Sequence, residues 1–116
     1  IFAGYLARKM GLPIERLIIA TNRNDVLHRV MTSGRYGRQS LAHTLSPSMD
    51  ITVSSNFERL LFDLYARDGA ALASLMQQFE HGEIHFTEQA LRQARALFTS
   101  QCVSDDQTCE QIASTW

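Results

Sequence analysis

Two short stretches carry the residue types that meet small polar ligands. The first is Thr21-Asn22-Arg23-Asn24-Asp25. It follows the apolar run Leu17-Ile18-Ile19-Ala20, and the helical spacing of Val26, Leu27, Val30 and Met31 starts directly after it. In open parallel α/β sheets, ligands bind beyond the carboxyl ends of the strands. A helix N-terminus adds free N–H groups and the positive end of a dipole. Asn22, Asn24 and Asp25 are therefore placed to border a ligand. One asparagine can equally be a helix cap, a role that accounts for one residue and not for the cluster. The second stretch is Thr44-Leu45-Ser46-Pro47-Ser48-Met49-Asp50. Small hydroxyl residues beside a proline suit a rigid loop lining a polar pocket, which makes Ser46, Ser48 and Asp50 candidates. The competing reading is an ordinary surface turn.

Other reactive residues carry less. His81 and His85 have a spacing that can hold a metal on a helix, but Gly82 lies between them and no third ligand is evident. No metal site is expected. His28 beside Arg29 reads as a surface or packing histidine. Cys102 and Cys109, if on one helix, would stand about 10 Å apart, too far to bridge, so two free thiols are expected. The chain has a single lysine, Lys9, next to Arg8. Nothing around it suggests the dry pocket that depresses an amine pKa. No nucleophile elbow, P-loop or dinucleotide fingerprint is present.

The elements that must hold these residues follow from periodicity. Residues 1–10 read as a helix with Gly11 just past its end. Leu17 to Ala20 reads as a short buried parallel strand, and a helix from Val26 ends at Gly34. Residues 34–50 read as loop, and 51–54 as a short strand or extended chain. Beyond residue 55 the pattern changes to four consecutive amphipathic helices. The first begins at a capping box, Ser55 to Glu58. Asp68–Glu80 follows, then a helix capped by Thr87 carrying Leu91, Ala94, Leu97 and Phe98. A last one is capped by Ser104 with Gln107 and carries Cys109, Ile112, Ala113 and Trp116. One clear strand has no visible partner, and a lone parallel strand leaves its backbone groups unpaired. Further strands are therefore expected outside the chain. The helix-first start at Ile1 and the apolar stripe ending at Trp116 point the same way, to an internal piece of a larger protein.

The 116 residues suit one small domain; 45% are hydrophobic and 20% charged, which is ordinary for a folded chain. No apolar run approaches the roughly 20 residues of a membrane span, and no signal peptide is present. The net charge of −1 conceals an asymmetry: residues 1–40 carry seven basic and two acidic residues, residues 41–116 four and ten. A basic first third could face phosphate or nucleic acid, with Phe2, Tyr5 and Tyr36 as the only aromatics near it. A small helical interaction or nucleic-acid-binding module is the alternative reading of function, and its signal is weak.

The segments Ile18–Arg29, Gly34-Arg35-Tyr36, Thr44–Ile51 and Val53–Leu64 together resemble the longer, microbial and fungal type of threonine synthase, strongly over residues 1–69 and more loosely beyond. The resemblance implies an α/β fragment, mostly helical: part of a doubly wound, tryptophan-synthase-like domain of a fold-type II pyridoxal-phosphate enzyme, with one clear parallel strand plus a helical insertion. Residues 1–54 would belong to the α/β domain and 55–116 to the helical region. It implies conversion of O-phospho-L-homoserine and water to L-threonine and phosphate, with pyridoxal 5'-phosphate as cofactor of the whole enzyme, in the cytoplasm, with no nucleic-acid or membrane partner. The lysine that carries the cofactor and the loop that cradles its phosphate would lie upstream, so the isolated chain is expected to be inactive, without bound cofactor, and able to self-associate through its unpaired strand or helices. Asn22, Asn24, Asp25, Ser46, Ser48 and Asp50 carry over as substrate- or cofactor-proximal residues, and no catalytic residue is assigned. Arg23 stands where the resemblance leads one to expect an acidic residue.

Overall fold

The computed structural model describes residues 1–116. Helix α1 spans Phe2–Lys9 and gives way at Gly11, whose φ of +100° suits a residue without a Cβ. Strand β1, Leu17–Thr21, leads into helix α2, Val26–Ser33, which ends on Gly34 in the left-handed region, φ 73°. Next come a two-residue strand β2, Arg35–Tyr36, and a single 3-10 turn at Pro47–Met49. Helix α3, Phe57–Leu64, helix α4, Gly69–His81, and strand β3, Ile84–His85, follow. Helix α5, Glu88–Leu97, runs straight into strand β4, Phe98–Cys102, and helix α6, Asp105–Thr115, closes the chain.

Strand β1 is not alone. It pairs in parallel with β4, in a register from Leu17 opposite Phe98 to Thr21 opposite Cys102. Phe98 was expected to close the preceding helix, because it continues the stripe of Leu91, Ala94 and Leu97. The α-helix stops instead at Leu97, where Phe98 turns to extended backbone and is buried at 2% exposure. The pair joins the stretches on either side of residue 55 in one sheet. A second small sheet starts inside the expected 34–50 loop, where β2 pairs antiparallel with β3, Arg35 opposite His85 and Tyr36 opposite Ile84. Residues 51–54 form no strand. The buried-strand expectation holds for only one side chain of β1, since Ile19 is buried and Ile18 is 76% exposed.

Side-chain capping sets three of the six helix starts. Asp68 accepts from the Ala70 and Ala71 N–H groups, Thr87 accepts from Ala90 N–H, and Ser104 and Gln107 complete a reciprocal capping box. The box expected at Ser55 does not form. Helix α3 starts one residue later, behind Asn56, with the Phe57 N–H donating to the Ser54 carbonyl at 3.1 Å and no side-chain cap. What sets this start is Phe57 itself, fully buried against Tyr36 at 5.1 Å between ring centroids, edge to face. Tyr36 also stacks on Phe79 at 4.4 Å. These rings, with Val30, Leu60, Leu61 and Ile84, are the centre of one core that runs from α2 to α5.

The segregated charges meet in space. Lys9 pairs with Asp63, Arg23 lies 3.7 Å from Asp105, and Arg29 and Arg35 both reach Glu83. The basic first third is thus tied to the acidic remainder by pairs that are individually weak. The radius of gyration is 15.3 Å and the extents are 49 × 38 × 21 Å. An independent domain of this length has a radius near ~13 Å, so the chain is flatter than a self-contained unit. Helix α6 buries no residue; Ile112 is 55% exposed and Trp116 fully so. No helix is long and apolar enough to cross a membrane.

Asp63 is the most strongly shifted carboxyl. Its side chain is 9% exposed and accepts from Lys9 Nζ at 2.9 Å and Arg67 Nε at 2.7 Å. Those two bonds, Lys9 first, pull its pKa from 3.8 to about 2. A carboxyl lowered in the folded state adds stability that is complete above its unfolded pKa and disappears as pH falls through its folded one. About 1–2 kcal/mol should therefore be lost between roughly pH 5 and pH 2, given the exposed partners. Urea titrations across that window measure it, and Asp63→Asn should flatten this part of the profile.

Candidate functional site

The carboxyl end of β1 runs into a tight polar knot. Asn22 folds its side chain forward, so that its Oδ1 accepts from the Asn24 N–H at 2.9 Å and the Asn24 amide at 3.1 Å. Asn24 is 6% exposed, and its amide engages both polar groups of the Ala42 backbone. Nδ2 donates to the Ala42 carbonyl at 2.8 Å, and Oδ1 accepts from the Ala42 N–H at 2.8 Å. The other end of the knot is Asp50. Its Oδ1 accepts from Asn22 Nδ2 at 2.7 Å, Asn24 Nδ2 at 3.0 Å and Thr44 Oγ1 at 2.7 Å, and its Oδ2 accepts from the Thr44 N–H at 3.0 Å. The Thr44 hydroxyl, then its N–H and the Asn22 amide, hold the Asp50 carboxyl below the usual carboxylate range. Buried polar groups persist only when paired, and here each is paired with another member of the same cluster.

The two predicted stretches are thus one structure: residues 42–50 are bound to the end of the strand through Asn22, Asn24 and Asp50. Asp25 lies at the side of the knot. It is the residue before α2, yet its side chain caps nothing; it accepts from Arg29 Nε at 3.1 Å, and Arg29 also donates to the Gly37 carbonyl. Ser46 joins through its N–H, which donates to Thr44 Oγ1 at 3.0 Å. Ser46 also borders a depression of about 150 Å³ together with Thr21, Asn22, Met49 and Thr108. Ser48, in the 3-10 turn, is exposed. Arg23 points outward at 60% exposure and donates to the His43 carbonyl.

Sequence reasoning missed two members. Thr44 bonds both Asn22 and Asp50, and Ala42 supplies only backbone, which no side-chain motif can reveal. Cys102 was also unassigned: as the last residue of β4 it donates Sγ–H to the Asn22 carbonyl at 3.2 Å. His28, on α2, reaches Ser100 Oγ at 2.9 Å and so braces the helix against β4. Cys102 and Cys109 are free, in different elements. His81 ends α4 and His85 lies in β3, and no three ligating side chains converge anywhere. Tyr36, one of the aromatics near the basic third, is 2% exposed and belongs to the core.

Lys9 stands apart from the knot. On α1, 49% exposed, it donates to Asp63, and its Nζ lies 5.2 Å from the Tyr5 ring centre. The Asp63 bond raises its pKa above that of a free lysine. A carbonyl-condensing lysine needs the opposite, a neutral amine in a desolvated pocket.

No protein-family model matches the chain. Solved structures do. The chain superposes on a pyridoxal-phosphate-bound threonine synthase from Brucella melitensis with a TM-score of 0.95 and 50% identity, over 97% of this chain and 25% of that one. For the yeast threonine synthase the TM-score is 0.90, at 43% identity over 96% of this chain and 24% of that one. The architecture is therefore one portion of a threonine-synthase fold. In sequence, the chain is 58% identical over 117 residues to the threonine synthase of Pseudomonas aeruginosa, covering 100% of this chain and 25% of that protein. It is homologous along its whole length to the threonine synthases, and it spans about a quarter of the curated relatives it matches.

Proposed function

We propose that this chain is a portion of a threonine synthase, the pyridoxal-phosphate-dependent enzyme that converts O-phospho-L-homoserine and water to L-threonine and phosphate. The supporting observation is the 58% identity that runs the whole length of the chain, together with the 0.95 TM-score on the Brucella enzyme. On this reading the protein is a cytoplasmic lyase of threonine biosynthesis. Its partner is a small phosphorylated substrate, with neither nucleic acid nor membrane. Residues 1–54 belong to the α/β cofactor domain and 55–116 to its helical region, apart from β4, which joins β1 in the sheet. Asn22, Asn24, Asp25, Ser46, Ser48 and Asp50 form part of the site's rim, and the open strand edges and α6 are where the chain meets further structure or a second copy.

The residues present do not fit the cofactor's covalent attachment. Pyridoxal phosphate joins enzymes of this class through a lysine, and the one lysine here is ion-paired, protonated and on the α1–α3 face. No step of the reaction is therefore assigned to Lys9, and the 116-residue chain alone is expected to be inactive. Mixed with pyridoxal phosphate, it should not develop the visible absorbance of a lysine-linked cofactor. Such an absorbance, abolished by Lys9→Met, would overturn that assignment. Release of phosphate and threonine from O-phospho-L-homoserine by the complete protein carrying this chain tests the function. A complete protein inert toward this substrate would refute the reading.

A further inference from the structure

The knot divides the rim residues into two kinds. Asn22, Asn24 and Asp50 are spent on one another, on Thr44 and on Ala42. They have little left to offer a ligand: both Asp50 oxygens and both ends of the Asn24 amide are occupied, and Asn24 is buried. Ser46 differs. Its backbone N–H is inside the knot, its hydroxyl has no partner there, and the residue borders the depression at the end of β1.

We propose that Asp50 is a positioning residue, which holds residues 42–50 against the end of β1 so that the Ser46 hydroxyl is presented to a polar group of the ligand bound beyond that strand. The chain of contacts is short. The Asp50 carboxylate grips Thr44 at both its hydroxyl and its N–H, and the same Thr44 hydroxyl receives the Ser46 N–H. Moving Asp50 therefore moves the Ser46 backbone directly. A four-acceptor role of this kind requires a carboxylate. In Asp50→Asn one oxygen becomes an NH2 group, which meets either the Thr44 N–H or the Asn22 and Asn24 amides, donor against donor. This inference rests on the proposed function for the identity of the ligand but not for the geometry.

Two measurements on the complete protein carrying this chain decide it. Hydrogen exchange reads the geometry without any turnover. The Thr44 and Ser46 N–H groups should be protected in the wild type and lose at least tenfold of that protection in Asp50→Asn, while Val30 and Leu60 in the core keep theirs. Steady-state kinetics with O-phospho-L-homoserine then reads the consequence. Ser46→Ala and Asp50→Asn should each lower kcat/KM by about tenfold or more, and the double variant should be no worse than the poorer single one, because both remove the same contact. Multiplied effects in the double variant, or Asp50→Asn with unchanged Ser46 protection, would overturn the proposal. A wild type that does not turn over this substrate defeats the assigned function instead, and the exchange data alone then decide the positioning role.

Discussion

Phe57→Ala is expected to lower the unfolding free energy by about 3–5 kcal/mol, the largest effect of any single truncation here. The ring is fully buried and stands between the two halves of the core, edge to face with Tyr36 at 5.1 Å and stacked near Phe86 at 6.0 Å. Removing it takes away the transfer energy of the ring and leaves a space that Tyr36 cannot fill, because Tyr36 is held by its stack on Phe79 and by the β2–β3 pairing. The loss should exceed that of Leu91→Ala, whose side chain lies at the core's margin at 9% exposure. Equilibrium denaturation of the two variants side by side measures it. A cost for Phe57→Ala below that of Leu91→Ala would show that the ring is not the junction described here.

The second large effect is expected at Asn24. Asn24→Leu keeps the volume and removes the amide that satisfies the Ala42 N–H and carbonyl and also reaches Asp50. Each buried group left without a partner costs about 1–3 kcal/mol. The cheaper response is to let Ala42 leave and recover its hydrogen bonds from water. The variant should therefore keep most of its core and lose the attachment of residues 42–50. Limited proteolysis should cut that segment many times faster than in the wild type, with the far-ultraviolet circular dichroism nearly unchanged. A cleavage rate like that of the wild type would mean that Asn22 and Asp50 hold the segment without Asn24. Asn24→Asp should be milder, since it keeps the acceptor for the Ala42 N–H, but it sets a second carboxylate beside Asp50.

Much of this was legible in advance, for reasons that differ by element. The helices with side-chain caps were readable because Asp68, Thr87 and Ser104 are local signals whose partners lie two or three residues away. The site was readable as two stretches because one lies where an apolar strand gives way to a helix and the other sets small hydroxyl residues beside a proline. That the stretches form one knot was not, since it depends on Asn24 meeting the backbone of Ala42, 18 residues on. Strand β4 was hidden because Thr99, Ser100 and Gln101 are polar and Phe98 fits the preceding helical stripe; the decisive interaction is its pairing with β1, which no window of local sequence contains. Strands β2 and β3 are two residues each and exist because of the Tyr36 stack. The Ser55 capping box failed because burial of Phe57, a tertiary effect, outweighed a local preference.

The parallel pairing of Leu17–Thr21 with Phe98–Cys102 has a consequence in time. A ribosome adds roughly 5–20 residues per second, so the second strand is completed several seconds after the first, with the whole of α2 to α5 made between them. Throughout that interval β1 lacks its β4 partner, and the loop that must finally close between them is some 80 residues long. On that edge the segment waits for a late partner. A slow codon run anywhere between the two strands would lengthen that wait.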